Sequence, residues 1–146
     1  KIAYGHHPYL SNGMHGNAGN YEGIKPIDLF TRRFSGENYR RWLEQNICGK
    51  VDLFVAGHDH DLQLLHSIPE CGNTIFMISG GGAKIRPLEG DATRNPFIYQ
   101  QGNVLGFVIA EIQGNNITLT FYTVSPDDGV ATVAHKQTFK RRLRAG

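Results

Sequence analysis

The segment that most constrains the fold is 51–60, with the sequence Val-Asp-Leu-Phe-Val-Ala-Gly-His-Asp-His. Its apolar first part has the length and the Val, Leu and Phe content of a buried β-strand. Gly57 is expected to permit a sharp backbone turn where a side chain would be in the way. His58 and His60 follow at the carboxyl end of the strand, where open sheets with parallel strands usually hold their ligands. Imidazole is the commonest protein ligand of transition metals, so this corner predicts a metal site.

A second strand-Gly-His corner favours a metal site over the alternative, in which the two histidines lie on the surface of a turn. Residues 1–4 form another short apolar segment, and Gly-His-His-Pro follows at 5–8. Two such corners are not expected by chance in one short chain. Parallel neighbouring strands would bring both corners to the same rim of a sheet, so we expect His6 to face His58 and His60.

Length, charge and cysteine content limit the possible classes of protein. The 146 residues suffice for one domain with a core, and the formal charge of +2 argues against a nucleic-acid binder that relies on a basic face. The basic residues at 140–144 are interpreted as a solvated tail, and no apolar run is long enough to span a bilayer. Cys48 and Cys71 permit one disulfide and leave the redox compartment open. A strand at the first residue predicts that the natural chain starts upstream.

Hydrophobic periodicity predicts one helix and several further strands. The helix is expected at 35–47, with Ser35 as its N-cap, Trp42 in the core and Gly49 just beyond its end. Together with the strand that follows, it forms an αβ unit, which supports a partly parallel sheet. The other predicted strands are 62–67, 74–79, 104–112, 117–124 and 131–139. Turn signals between the last three indicate an antiparallel meander.

The loops and the remaining histidines divide into candidate and structural residues. Residues 11–20 are dense in Gly and Asn, and a long loop beside a metal site is more often functional than decorative. His66 and His135 lie in predicted strands and are interpreted as structural or surface residues.

The region that follows strand 74–79 offers a weaker indication of anion binding. Its triple glycine, 80–82, is interpreted as a tight exit from the strand, because the Gly-Lys-Ser/Thr ending of a nucleotide loop is missing. Lys84 and Arg86 could face an anion. Residues 89–103 are predicted to form a polar loop.

The two corners resemble the last two conserved blocks of the calcineurin-like metallophosphoesterases. Within that superfamily the chain is most similar to the small, tartrate-resistant type of purple acid phosphatase. His15 stands nine residues beyond His6, and Gly-His-Asp-His-Asp-Leu-Gln at 57–63 and Ile-Ser-Gly-Gly-Gly at 78–82 resemble blocks of that type. The likeness covers nearly the whole chain, although 16–34 is longer and more Gly-rich than the family pattern.

The resemblance implies an α/β fold, a four-layer α/β/β/α sandwich with a dinuclear metal site at one rim. By the family's pattern His6 and His58 would bind one metal ion and His60 the other, the ions being iron, zinc or manganese. His15 would contact the substrate phosphate or protonate the leaving group. His7 occupies the variable position beside a ligand, so it is a candidate substrate contact and is not carried over as a ligand.

Three blocks of the family are missing from this sequence. The family also has an Asp-x-His block, a Gly-Asp block whose Asp bridges the metals, and a Gly-Asn-His block, and the aspartates Asp28, Asp52 and Asp91 stand in no such context. Residues 1–146 are therefore expected to be the β-rich carboxy-terminal portion of a single catalytic domain. An upstream half, or pairing between copies of the chain, would complete it.

The resemblance implies a metal-dependent phosphoester hydrolase of the acid phosphatase kind. No Ser or Cys stands in a recognisable nucleophile setting, which suits direct attack by metal-bound hydroxide on a phosphorylated small molecule or protein. A secreted, periplasmic or lysosomal location is suggested by the likeness, and the sequence leaves it open.

Two other functions remain open at this point. One is a phosphodiesterase or nucleotide hydrolase of the same fold, with substrate choice residing in loops 11–34 and 83–103. The other is a non-catalytic module in which His6, His58 and His60 hold a structural zinc, with His7 or Asp59 as the fourth ligand.

Overall fold

Two β-sheets pack face to face in the computed structural model, which describes residues 1–88 and 92–140. The first sheet has five strands: β1 (Ile2–Tyr4), β2 (Leu53–Ala56), β3 (Leu62–Leu65), β4 (Ile75–Ser79) and β5 (Phe97–Gln101). Their order is β1-β2-β4-β3-β5. Strands β1, β2 and β4 run parallel, and β3 is antiparallel to both β4 and β5, so the predicted parallel portion is confirmed.

The second sheet is the predicted antiparallel meander. Its strands are β6 (Leu105–Gln113), β7 (Asn116–Val124) and β8 (Ala131–Lys140), in that order. The basic cluster of the sequence continues beyond Lys140, so the predicted solvated tail lies outside the described residues, as does Asp91.

The helical part of the chain precedes β2 and differs in detail from the prediction. Helix α1 spans Leu29–Phe34 and α2 spans Glu37–Asn46, with short 3-10 turns at Tyr21–Gly23 and Pro69–Cys71. The predicted N-cap is wrong, because the N–H of Ser35 donates to Thr31 at the end of α1 (2.8 Å). Gly36 caps α2 instead, with a left-handed φ of 78° that suits glycine.

The placement of Trp42 in the core is also wrong. Its side chain is 52 % exposed and stacks on Tyr39 of the same helix. The residue that α2 buries is Leu43, which lies next to Trp42 in the sequence but points to the sheet. Beyond the helix, Cys48 and Cys71 form the disulfide that the sequence permitted.

The predicted polar loop 89–103 is wrong in its second half, where β5 forms the edge of the first sheet beside β3. Its polar residues concealed the strand. Gln100 lies at this edge, and its side-chain oxygen accepts a hydrogen bond from Asn12 (2.8 Å). A polar side chain is tolerated in such a place because it finds a partner there.

The described residues form three layers: helix α2, the first sheet and the second sheet. Side chains that alternate along the strands of the first sheet fill the cores on its two faces. One face packs against α2 and the other packs against the second sheet, because neighbouring side chains of a strand point in opposite directions. The first core contains, among others, Leu43, Phe54, Leu65 and Phe76. The second contains Leu53, Leu62, Leu64, Met77, Leu119 and Phe121.

The α/β fold predicted from the sequence is thus confirmed, with a helix layer and both sheets present in the described residues. The outer face of the second sheet carries exposed apolar side chains, among them Phe107, Ile109 and Val133. Within residues 1–88 and 92–140, no helix has the length and apolar character needed to cross a membrane.

Candidate metal centre

The two Gly-His corners lie side by side at one rim of the first sheet. Strands β1 and β2 are parallel neighbours, with Ala3 opposite Phe54. The pairing continues past the strand ends, because the N–H of Gly5 donates to Val55 (2.9 Å) and the N–H of Gly57 donates to His6 (3.1 Å). This ladder holds both corners at the same height.

The sharp turn after β2 occurs at His58 and not at Gly57, so the expectation for Gly57 is wrong. His58 has a left-handed φ of 67°, and a Cβ on Gly57 would meet nothing closer than 4.0 Å. A non-glycine residue in this region costs about 1–3 kcal/mol, and such residues cluster at functional sites. Of the glycines that begin the two corners, Gly5 is the closely packed one, because a Cβ there would lie 2.7 Å from the hydroxyl of Tyr39.

One nitrogen atom of the His6 ring lies close to one nitrogen atom of the His58 ring. Nε2 of His6 lies 3.3 Å from Nδ1 of His58. Two nitrogen ligands bound tetrahedrally to one ion at roughly 2.0–2.1 Å stand about 3.3 Å apart, so this spacing fits a shared metal ion. His7 joins them, because a ligand atom from each of the three histidines lies within 4.8 Å of the others.

His15 reaches the same centre from the Gly- and Asn-rich loop. Its ring centroid is 4.2 Å from that of His58. Nδ1 of His15 contacts the carboxylate of Glu22, and Nε2 lies 3.4 Å from Nη1 of Arg86. His15, Glu22 and His58 form a second set whose ligand atoms lie within 4.8 Å of one another.

His60 lies outside both groups of potential ligands found among the described residues. Its Nδ1 is buried without a hydrogen-bond partner, and its carbonyl accepts the N–H of Arg86 (3.0 Å). An unpartnered buried nitrogen fits a ligand of a separate ion, since buried polar atoms normally have partners. His66 is exposed and lies just beyond the end of β3, outside the strand that was predicted to contain it, and His135 stacks on Tyr99.

Electrostatics favour the neutral form of His7, His58 and His60. Burial, with the charges of His7 and His15, lowers the pKa of His58 to about 4. Burial and the neighbours His6 and His15 also lower the pKa of His7. The pKa of His60 falls because of burial and then because of the charges of Arg86 and Lys84. Neutral imidazoles offer their lone pairs to metals, and the nearby cations make the rim attractive to an anion.

Two buried aspartates lie beneath the rim. The carboxylate of Asp59 accepts hydrogen bonds from the Ser11 hydroxyl and from the N–H of His15 (3.1 Å), so this residue faces inward, away from the histidine groups. Asp61 accepts a hydrogen bond from Gln63 (2.9 Å). Burial, and to a lesser degree Asp59, raises the pKa of Asp61 to about 7.

Close packing against Asp59 accounts for Gly80, the first of the three glycines after β4. A Cβ on Gly80 would lie 1.8 Å from the carbonyl oxygen of Asp59. The interpretation as a tight strand exit is therefore confirmed for this glycine.

A buried network of amide side chains supports the loop that carries His15. The N–H of Asn12 donates to Gln63 (2.8 Å), and the N–H of Asn95 donates to the Asn12 side chain (2.8 Å). The Asn95 side chain in turn binds Ser11 and Asn17. Sequence analysis missed these residues and Glu22, because a Gly- and Asn-rich composition indicates a loop without indicating which of its polar groups are buried.

Comparison with known proteins follows this geometry. No family model matches the sequence. Purple acid phosphatase 3 of Arabidopsis thaliana is 32 % identical over 152 residues, covering 98 % of this chain and 33 % of the relative. Purple acid phosphatase 7 of the same plant is 29 % identical over 148 residues, covering 97 % of this chain and 36 % of the relative. The chain spans about a third of the length of these relatives.

A solved structure confirms the fold. The structure described as GAP50, the anchor in the inner membrane complex of Plasmodium, superposes with a TM-score of 0.65 and covers 98 % of this chain and 37 % of its own. At 17 % identity this likeness concerns the fold alone. The paired sheets and histidine corners define a metallophosphoesterase-like protein. The sequence similarity to purple acid phosphatases over nearly the whole chain, together with the shared fold, supports the resemblance to the calcineurin-like metallophosphoesterases.

Proposed function

We propose that this chain supplies the histidine half of a dinuclear metal site in a phosphoester hydrolase that acts on phosphomonoesters. The contact between Nε2 of His6 and Nδ1 of His58, at 3.3 Å, carries the proposal. In it, these two residues hold one ion and His60 holds the other through its unpartnered buried nitrogen. The relationship to purple acid phosphatases supports the choice of phosphomonoesters.

Bound ions of iron, zinc or manganese would supply an activated water and positive charge for the phosphoryl oxygens. The chain's own residues bind and orient the substrate. Arg86 and Lys84 place two further positive charges near His60, which favours a phosphate group at this rim. A guanidinium can also donate two parallel hydrogen bonds to phosphate oxygens.

His15 and His7 are the side chains that remain to contact the substrate. The ring of His15 lies 4.2 Å from the ring of His58, so a phosphoester bound at the metal site would lie within its reach. In this position His15 contacts the phosphate or delivers a proton to the leaving oxygen. The ring of His7 is also 4.2 Å from His58 and is open to solvent, which suits a substrate contact.

A dinuclear site needs a bridging carboxylate, and among the described residues Glu22 alone brings a carboxylate into either histidine group. Asp59 faces the buried network, and Glu22 is bound to His15. The proposal therefore includes a further segment, upstream in the natural chain or from a second copy, that supplies the bridging carboxylate.

One observation favours a second candidate function, a module with a single zinc ion. His6, His7 and His58 bring their ligand atoms within 4.8 Å of one another without His60. Three imidazoles with an open fourth position also suit a zinc ion. A structural zinc would need a fourth protein ligand, and Asp59 faces away from this group.

Metal analysis with a phosphatase assay on the intact protein separates these candidates. We expect two ions per chain and hydrolysis of p-nitrophenyl phosphate faster than of bis(p-nitrophenyl) phosphate. His58→Ala should remove metal and turnover together. His66→Ala, which removes a histidine exposed just beyond the end of β3, should change neither. One zinc without hydrolysis would favour the module, and faster cleavage of the diester would favour a phosphodiesterase.

A further inference from the structure

Glu22 holds His15 by two separate contacts. Its carboxylate contacts Nδ1 of the imidazole ring, and its N–H donates to the carbonyl oxygen of His15 (3.0 Å). The two residues are seven positions apart, and Glu22 lies in the segment 16–34, which is longer than the family pattern. Neither contact depends on the residues that form the His6–His58 pair.

The neighbouring Tyr21 anchors Glu22 in this position. Tyr21 is buried, its hydroxyl donates to the carbonyl oxygen of Pro8, and its N–H donates to Ser35 (3.0 Å). Its ring covers Gly36, where a Cβ would lie 2.4 Å from the ring. With its neighbour fixed, Glu22 adopts a left-handed φ of 55°, a conformation that non-glycine residues keep only where surrounding contacts enforce it.

The opposite side of the His15 ring faces a cation. Nη1 of Arg86 lies 3.4 Å from Nε2. Two hydrogen bonds fix the backbone of Arg86. Its N–H donates to the carbonyl oxygen of His60 (3.0 Å), and its carbonyl oxygen accepts the N–H of Asn103 (2.7 Å). Because a guanidinium only donates hydrogen bonds and a carboxylate accepts them, the neutral ring carries its hydrogen on Nδ1 and offers the Nε2 lone pair to Arg86. Nε2 must take up a proton before His15 can act as a general acid.

We propose that Glu22 is a positioning residue for His15. This rests on the proposed function, in which His15 contacts the phosphoester. The carboxylate holds the Nδ1–H side of the ring, so that Nε2 points to the side where Arg86 lies. A carboxylate that orients an imidazole in this way fixes its tautomer and its rotation, as in other histidine-based sites.

Kinetics of the intact, metal-loaded protein provide the first test. Glu22→Ala should lower kcat about 10- to 100-fold, the range found when the hydrogen-bond partner of a metal-site histidine is removed. KM and metal content should stay unchanged. Glu22→Gln keeps an oxygen that accepts the Nδ1 hydrogen, so it should recover most of the rate. Glu111→Ala, which removes an exposed carboxylate on the second sheet, is the matched control.

A double-mutant cycle separates positioning from a general structural role. In a His15→Asn background, Glu22→Ala should cause no further loss of kcat, because the ring that it orients is gone. Losses that multiply independently would overturn the proposal. Loss of metal in Glu22→Ala would also overturn it, since Glu22 would then be a ligand together with His15 and His58.

A second readout needs neither metal nor substrate. In the metal-free protein with ¹⁵N-labelled histidine, NMR should assign the His15 hydrogen to Nδ1, in a signal that His15→Asn removes and Glu22→Ala shifts. A hydrogen on Nε2 in the wild type, or an unchanged signal in Glu22→Ala, would contradict the inference. A protein without phosphatase activity that keeps the Nδ1 signal would refute the proposed function and leave the contact between Glu22 and His15 intact.

Discussion

Nε2 of His6 and Nδ1 of His58 meet at 3.3 Å although 52 positions separate them in the chain. Their meeting depends on the register of β1 and β2, in which each residue from Ile2 to Tyr4 pairs with one from Leu53 to Val55. A shift by one residue would turn one corner to the other face of the sheet. We therefore expect that a change that disrupts the pairing of β1 with β2 also disrupts the metal site.

Removing either proposed ligand set should remove metal. We expect His58→Ala and His60→Ala in the intact protein to lose bound metal and turnover together, because each deletes a ligand of one of two ions. Inductively coupled plasma mass spectrometry and a phosphatase assay would measure both. Full metal content and full turnover in both variants would show that the ions are held elsewhere.

Substitution of His15 should affect rate and spare metal. A positioned general acid contributes about 100- to 10,000-fold, so His15→Asn should lose kcat within that range while it retains its ions. The loss should be largest for substrates with poor leaving groups, which depend most on protonation. An unchanged kcat with an unchanged pH–rate profile would show that His15 is not the general acid.

Asp61 should make the metal-free protein less stable as the pH rises. Its pKa in the fold is raised to about 7 from an ordinary value of 3.8, so the folded state keeps a proton that the unfolded state has released. The stability contributed by this proton is present in full below about pH 4 and is lost as the pH rises through about 7. At pH 8 the buried charge should cost on the order of a few kcal/mol.

Asp61→Asn, which is neutral throughout, tests this. Urea unfolding at pH 5 and pH 8 should show the variant gaining stability relative to wild type at the higher pH. Asp127→Asn in an exposed turn is the control and should show no such gain. Equal differences at both pH values would argue against a raised pKa. Metal-free protein is required because bound cations favour the charged carboxylate.

The disulfide between Cys48 and Cys71 should stabilise the region around the end of α2. It closes a loop with a sequence separation of 23, for which loop entropy predicts about 3 kcal/mol. The double variant Cys48→Ser/Cys71→Ser should unfold at a lower urea concentration. Its free energy of unfolding should be smaller by about that amount. Reduced wild type should match it, and a wild type insensitive to reductant would show that the bond is absent in solution.

The exposed outer face of the second sheet should drive association of a chain restricted to residues 1–146. Phe107 and Val133 are 40 % and 52 % exposed there. An exposed apolar patch of this kind is expected to pack against another protein surface. Light scattering after size-exclusion chromatography should detect oligomers, which Phe107→Lys or Val133→Lys should weaken. A stable monomer that carries two metals and hydrolyses a phosphomonoester would contradict both this prediction and the need for a further segment.

Much of the architecture could be predicted from local patterns. The strand segments, the meander and the parallel neighbours β1 and β2 follow from apolar runs and turn residues, because these signals involve residues close together in the chain. Strand β5 was missed, because the polar side chain of Gln100 finds its hydrogen-bond partners in the distant Asn12 and in Ala92. Trp42 was misplaced because a helix of ambiguous periodicity can bury either of two adjacent residues, and only packing against the sheet selects Leu43.

The chemistry of the site divides in the same way. The sequence names His6, His58 and His60 as candidates through the two strand-Gly-His corners, and it names His15 through the resemblance to a known family. Which of them meet, and through which nitrogen, depends on contacts between segments far apart in the chain. Glu22 and Arg86 acquire their positions against His15 only when Tyr21 and the backbone of His60 anchor them. Hydrogen bonds and packing between distant residues carry that information, and no local pattern contains it.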